Sequence, residues 1–380
     1  MKGSESRELQ ANSELLITFI RIILIFLALY VFLISIGLMG SGFKVFGKGF
    51  AKALIETTNN PFVGLFVGVL ATALIQSSST TTSMVVAFVA AGSISVSNAV
   101  PIIMGANVGT AVTSTLVSLG HMTRLREFKR AFAAGCVHDM FNLMAVAVIL
   151  PIELTTGFLA RIAGYLADGL SSSGGVEFKS PLKVITKPVN EALVELISSL
   201  HLSNVATGIF VVLLGFILLI VSLYFLSKLL KLLVLKKLQR FFESSLYNNG
   251  LIAIMLGLVF TAIVQSSSVT TSLMVPLAAA GIMTVQQVFP VALGANVGTT
   301  VTALLASLAT GSPAGLTIAL VHLLFNITGI LIFYPIPFMR NIPIKSAILL
   351  SEIAVKNRLY GVFMILIIYF IIPGLAVYLT

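Results

Sequence analysis

The sequence predicts an all-α polytopic membrane protein with two inverted-topology repeats, each holding a re-entrant helical hairpin and a broken transmembrane helix. Three observations lead there. Of the 380 residues, 58% are hydrophobic and only 9% charged, whereas soluble domains carry about 25% charged residues. The tetrapeptide Gln76-Ser77-Ser78-Ser79 returns as Gln265-Ser266-Ser267-Ser268, each time inside a hydrophobic run. Polar groups at membrane depth are tolerated only where they pair inside protein or line a wet cavity. Finally, a shift of 189 residues aligns 76–119 on 265–308 without a gap, with more than half of the positions identical. After a five-residue shortening, His138-x-x-Phe141-Asn142 falls on His322-x-x-Phe325-Asn326. Such a duplication is the sequence signature of repeat-built transporters.

Taken in order, residues 1–14 mix charges of both signs and form an N-terminal cytoplasmic segment. Leu15–Met39 is long enough to span. It is too long for the apolar part of a signal peptide, so no cleavable signal is expected. Lys44, Lys48 and Lys52 recur every four residues between apolar positions, which predicts an interfacial helix over 43–56. From Thr57 to Thr123 there is no Asp, Glu, Lys or Arg. Within it, Pro61–Ile75 and Thr80–Ala91 flank the first tetrapeptide, each shorter than the ~20 residues of a spanning helix. They are expected to form a hairpin with the serines at its tip. Asn98–Leu119 follows, interrupted by Gly105-Ala106-Asn107-Val108-Gly109-Thr110, which reads as a break.

Arg124, Arg126, Lys129 and Arg130 make a basic loop before the span Ala131–Leu150. Residues 151–203 read as an extracytoplasmic loop, with a flexible turn at Ser171–Gly175. Asn204–Ser227 spans again, and Lys228, Lys231, Lys236, Lys237 and Arg240 form a basic interfacial segment. Then Gly250–Gly281, Gln287–Leu308 and Leu316–Pro337 repeat the hairpin, broken helix and His-x-x-Phe-Asn span. Arg340, Lys345, Lys356 and Arg358 precede a last span, Tyr360–Thr380. The domain plan is therefore 15–56 (scaffold and interfacial helix), 57–150 (first core), 151–203 (loop), 204–243 (scaffold), 244–339 (second core) and 340–380 (interfacial segment and last helix). Three spans separate the hairpins, an odd number, so they enter from opposite faces. The basic segments 124–130, 228–240 and 340–358 then share the cytoplasmic side. This makes a multi-pass protein of the cell membrane with its N-terminus inside. The net charge of +10 belongs to those segments and not to nucleic-acid binding. The single cysteine, Cys136, allows no intramolecular disulfide.

The chemistry sits in the polar clusters. Ser77 to Ser83 are seven consecutive hydroxyl residues, and six of the seven at 266–272 are hydroxylated. Hydroxyls donate to anions and accept from cations, and the second arm of each hairpin starts a helix whose free N–H groups favour an anion. Neither hairpin-bearing stretch, 57–123 or 244–339, contains Lys or Arg, so a bound anion must be balanced by a cation held in the same site. Neutral oxygens suit a hard cation such as Na⁺. The candidate ligands are Gln76, Thr82, Asn107, Thr110, Asn142, Gln265, Thr271, Asn296, Thr299 and Asn326, together with Asp139. Asp139 is the one carboxylate within either repeat's transmembrane core, a candidate extra cation ligand or proton carrier, and Leu323 takes its place in the second repeat. Each ion then improves the site for the other. No other cofactor is called for, and no enzymatic constellation stands out.

At these residues the chain resembles the type II sodium–phosphate cotransporter family. The paired Gln-Ser-Ser-Ser, Pro-Ile-Ile-Met-Gly-Ala-Asn-Val-Gly-Thr (101–110), Glu-Phe-Lys-Arg-Ala-Phe (127–132), Val-His-Asp-x-Phe-Asn (137–142) and Tyr-Pro-Ile-Pro-Phe (334–338) carry the likeness. The resemblance implies sodium-driven uptake of inorganic phosphate. It places phosphate and sodium at Gln76, Ser77, Ser78, Ser79, Gln265, Ser266, Ser267 and Ser268, and links Asp139 to an additional sodium. It also suggests a compact prokaryotic member, without regulation through a tail. The outer spans would form a scaffold in the bilayer and the contact of a homodimer. Two other readings stay open: a sodium-coupled carrier of another small oxyanion, such as sulfate or a dicarboxylate, and an anion channel.

Overall fold

In hydrocarbon an unpaired backbone amide has no water to turn to, so each apolar run must close its hydrogen bonds within itself. The computed structural model describes residues 2–57, 59–172, 181–245 and 249–379, and no strand occurs among them. Among the described residues, seven helices are long and apolar enough to cross a membrane: 16–42, 96–119, 125–156, 204–230, 285–310, 313–333 and 358–378. Large apolar side chains such as Phe19, Phe26, Phe210 and Ile217 are exposed on α1 (Lys2–Thr57) and α9 (Asn204–Ser245). Such surface is stable only against lipid or another apolar surface.

Several expected boundaries change. The N-terminal segment, first span and interfacial helix are one continuous helix, α1. The first proline of the chain is Pro61, so nothing before it forces a helix to end. The basic loop 124–130 largely forms the first turns of α6 (Leu125–Thr156). Much of the expected 151–203 loop is helical, as α7 (Phe158–Ser172) and α8 (Pro181–Ser198). The α6–α7 turn closes on Gly157 at φ 61°, and buried Glu153 accepts from the amides of Leu159 and Ala160 at 2.6 and 3.3 Å. A carboxylate at a helix start satisfies orphan donors and the helix dipole. Residues 173–175 of the expected turn lie outside the described residues.

The two repeats fold alike. Helices α2 (Pro61–Ile75) and α3 (Ser78–Ala90) match α10 (Gly250–Val264) and α11 (Ser267–Ala279), with 15 and 13 residues in each pair. At 1.5 Å per residue each arm is about 20 Å long, short of the ~30 Å hydrocarbon core. The next helices differ. In the first repeat α4 (Val96–Thr110) and α5 (Val112–Leu119) are separated at Ala111, one residue after the glycine motif. In the second, α12 (Val285–Thr310) runs unbroken through Gly294 and Gly298. The expected break is therefore absent from the second repeat and displaced in the first.

The glycines serve close packing instead. A Cβ on Gly105 would lie 1.9 Å from the Leu65 carbonyl oxygen, and one on Gly294 would lie 1.8 Å from that of Ile254. Gly68 and Gly257 meet the facing helices as tightly. Small residues let helices in apolar surroundings approach to backbone contact.

The halves interlock. Helix α3 packs on α12 and on α13 (Pro313–Phe333), while α11 packs on α5 and α6. The spans 96–119, 125–156 and 285–310 are 78% buried, whereas 16–42, 204–230 and 358–378 are 44, 33 and 22% buried. The repeated helices thus form the centre, and α1, α9 and the last span form the perimeter. Helix α14 (Pro337–Lys356) lies against α6, joined at the surface by Lys129 and Glu352 at 2.9 Å.

Candidate functional site

Each hairpin turns on its glutamine. Gln76 and Gln265 both adopt φ 58°, ψ 27°, the left-handed conformation, and their backbone N–H groups donate to Thr72 and Thr261. A non-glycine residue in that region is uncommon and marks local strain or function. The next residue, Ser77 or Ser266, is extended, and its hydroxyl accepts from the amide of Thr80 or Val269. That is the N-cap geometry of a helix start.

The same side-chain bonds brace each tip. Gln76 Nε2 donates to the Ala73 carbonyl and Oε1 accepts from Thr113 at 3.0 Å. Gln265 Nε2 donates to Ala262, and Oε1 accepts from Thr302 at 2.7 Å. Thr72 meets Thr81 at 3.0 Å across the first hairpin, as Thr261 meets Thr270 at 2.5 Å across the second.

The tips face one another. Ser79 Oγ donates to the Gln265 carbonyl at 3.4 Å and lies 3.5 Å from Thr302 Oγ1. Beside this contact is a cavity of about 470 Å³ lined by Gln76, Ser77, Gln265 and Ser266, with Tyr224 and Lys228 of α9 completing the wall. Thus the glutamine and first serine of each tetrapeptide reach the cavity. Ser78, Ser79 and Ser267 are buried, Ser268 is half-buried, and none of these four lines it. By helix geometry the amides of residues 78, 79, 267 and 268 have no intrahelical acceptor. The sequence reading missed Lys228, the first cation after the apolar stretch of α9, by assigning it to the interfacial segment alone.

A second constellation joins the halves. His138 Nε2 donates to Asn296 Oδ1 at 2.5 Å, Asn296 Nδ2 to Asn142 Oδ1 at 2.8 Å, and Asn142 Nδ2 to the Asn107 carbonyl at 2.9 Å. In mirror order, His322 Nε2 donates to Asn107 Oδ1 at 3.1 Å, Asn107 Nδ2 to Asn326 Oδ1 at 2.6 Å, and Asn326 Nδ2 to the His322 carbonyl at 2.9 Å. All six side chains are buried. The asparagines of the broken-helix motifs thus grip the His-x-x-Phe-Asn helix of the opposite repeat. Since the amide oxygens accept, each imidazole carries its proton on Nε2. His138 Nδ1 and His322 Nδ1 are left without a partner, as are the repeat-related hydroxyls Ser83 and Ser272.

The remaining candidates hold their own helices. Thr110 and Thr299 donate to the Ala106 and Ala295 carbonyls at 2.9 and 3.0 Å. Thr82 donates to Ser79, and Thr271 to Ser267. Each such oxygen still has a lone pair for a cation.

Asp139 stands outside the lattice. Its carboxylate accepts from Thr115 Oγ1 at 2.6 Å and from the hydroxyl of Tyr369. Tyr369 is fully buried and sits in a single π-turn, Ile367–Ile371, of the last helix; π-turns re-aim side chains and cluster at functional sites. Both members of the core pair are missing from the second repeat, where Leu304 and Leu323 occupy the positions of Thr115 and Asp139. No group of three His, Cys, Asp or Glu side chains suited to a metal occurs among the described residues.

The family model described as Na+/Pi-cotransporter matches residues 31–163 and 218–337. The chain is 34% identical to sodium-dependent phosphate transport protein 2B of Pongo abelii and 33% identical to that of Homo sapiens. Each match covers 93% of this chain and 64% of the relative. Sodium-dependent phosphate transport protein 2A of Oryctolagus cuniculus is 34% identical over 94% of this chain and 67% of its own length. The chain therefore spans less than two thirds of the 2B proteins. No solved structure matches it significantly. The matched family segments fall on both tetrapeptides, both asparagine motifs and both histidines, and on that ground the chain belongs to the Na+/Pi-cotransporter family.

Proposed function

We propose that the protein is a secondary symporter that couples inward sodium flux to the uptake of inorganic phosphate by alternating access. The observation that carries this reading is the meeting of two repeat-related hairpin tips, Gln76–Ser77 and Gln265–Ser266, at one cavity. An oxyanion there meets serine hydroxyls and glutamine amides from two directions, with the positive ends of both second-arm helices behind them. Phosphate, a compact tetrahedral anion, suits such neutral donors. The printed names of the relatives support the same choice of ions.

The sodium ligands in this reading are oxygens near the tips and the lattice: Gln76, Thr82, Asn107, Thr110, Asn142, Gln265, Thr271, Asn296, Thr299 and Asn326. The unpartnered hydroxyls of Ser83 and Ser272 add to them. Asp139, set apart with Thr115 and Tyr369, holds a further sodium. In this reading the hairpins are re-entrant and the repeats inverted, which the odd number of candidate spans between them, three, supports. The N-terminus is cytoplasmic, and α1, α9 and the last span form the scaffold and a homodimer contact. A second cavity of about 390 Å³, lined by Ser41, Ala91, Asn190 and Thr310, lies at the far end of α3. It is the natural start of the opposite access route, since one length of α3, about 20 Å, separates it from the tips.

Uptake into liposomes tests this. Labelled phosphate enters only with an inward sodium gradient, sulfate and succinate compete weakly, and Ser77→Ala with Ser266→Ala abolishes uptake while the protein stays monodisperse. Equal uptake in potassium would falsify the coupling.

A further inference from the structure

We propose that Lys228 supplies the fixed positive charge of the tip cavity, holding the anion from the scaffold side in the conformation this structure adopts. The inference rests on the reading of that cavity as the phosphate site.

Four observations carry it. Residues 57–123 and 244–339, which contain both hairpins, have no Lys or Arg. An anion between the tips therefore finds neutral donors only, and charge transferred into a poorly solvated site without a counter-charge is strongly disfavoured. Among the described residues, Lys228 is the one cation lining the cavity, in company with Gln76, Ser77, Gln265 and Ser266. Its ammonium lies 5.7 Å above the ring of Tyr224, which lines the same cavity. A cation–π contact holds the ammonium over the ring and consumes none of its three N–H donors. The residue is exposed, and a lysine is a compact charge on a flexible stem, so it can follow a ligand into the cavity.

Its place in the fold gives the charge a direction. The serines belong to the duplicated hairpins, but Lys228 belongs to α9, a perimeter helix outside the aligned repeat. Motion of the hairpins relative to that helix changes the distance between anion and ammonium, so the charge assists binding from the side onto which this cavity opens and not from the other. Neutral donors shared by both states set the basal affinity, and Lys228 adds a state-dependent increment.

The test compares phosphate dependence from the two faces, in right-side-out and inside-out vesicles holding the full chain under a sodium gradient. Lys228→Gln is expected to raise the phosphate concentration for half-maximal transport roughly tenfold from one face. The other face and the maximal rate stay within about twofold, and Lys228→Arg restores most of the affinity. Lys228→Cys gives an independent readout, because the native cysteine, Cys136, is buried. Modification with a positively charged methanethiosulfonate recovers affinity, and modification with a negatively charged one lowers it further. An unchanged half-saturation from both faces in Lys228→Gln, or equal effects of the two reagents, overturns the proposal. Absence of sodium-driven phosphate uptake in the unmodified protein defeats the underlying functional reading instead, and is seen before any variant is made.

Discussion

The two hairpin tips have one backbone and two environments. Gln76 and Gln265 share φ 58° and ψ 27°, the same bond to the residue three places back, and the same threonine partner on the following helix. Yet Gln76 is exposed, whereas Gln265 is 7% exposed under Ser79. Ser268, the counterpart of Ser79, makes no cross-tip bond among the described residues. Asp139 and Thr115 face two leucines in the other half, and α4–α5 breaks where α12 continues. Local sequence reproduces the tip, but packing against different neighbours makes the two tips unequal. The proposed transport cycle, in which the two tips exchange roles, requires that inequality: at any moment one tip is covered and the other open.

The sharpest way to break the comparison is at the glycines, where the halves are still alike. Gly105→Ala and Gly294→Ala each drive a methyl into a carbonyl oxygen, so both should destabilise by about 3 kcal/mol or more and remove the monodisperse peak in size-exclusion chromatography. Tolerance of one but not the other would mean that one half can separate its helices. The lattice comes next. Asn107→Ala and Asn296→Ala each strand a buried imidazole N–H and a buried asparagine partner, at about 2–3 kcal/mol, and should lower the melting temperature in detergent equally.

Below these are effects that separate the repeats. Asp139→Leu installs the residue found at the equivalent place in the second repeat. It should raise the sodium concentration for half-maximal uptake several-fold and lower the charge moved per phosphate, while Leu323→Ala leaves both unchanged. An unaltered current-to-flux ratio would remove Asp139 from the sodium path. Ser79→Ala should shift transport by about 1 kcal/mol, and Ser268→Ala by less, when half-saturation for phosphate is compared. Smallest is Lys129→Ala, which breaks an exposed ion pair with Glu352; its effect on melting should stay within about 0.5 kcal/mol.

Much of this was legible in the sequence. The composition required a membrane protein, and the duplicated Gln-Ser-Ser-Ser, Gly-x-Asn-x-Gly and His-x-x-Phe-Asn motifs marked the residues that gather at the centre. What misled was the reading of glycine as a helix breaker, since Gly294 and Gly298 serve helix contact inside a continuous α12. Residues 151–203 looked soluble because Pro151, Pro181, Pro188 and scattered charges dilute their hydrophobicity. Yet Leu159, Ala163 and Ala167 recur at four-residue spacing and are buried, a helical stripe that signalled α7. Lys228 carried no local signal at all: a cation ending an apolar helix reads as an interfacial charge whether or not a cavity lies beside it.

The sequence by itself determined the solvent, the helical content, the duplication and the conformation of each tip. These depend on hydrophobicity and on interactions within a few residues. The tertiary structure alone decided that the asparagines grip the opposite repeat, that Tyr369 on the last helix reaches Asp139, that one glutamine is covered and the other open, and that Lys228 faces the tips. The first three join residues more than 100 positions apart, and Lys228 reaches both the nearby second tip and the distant first. No local propensity encodes such a meeting, because it follows from how whole helices pack.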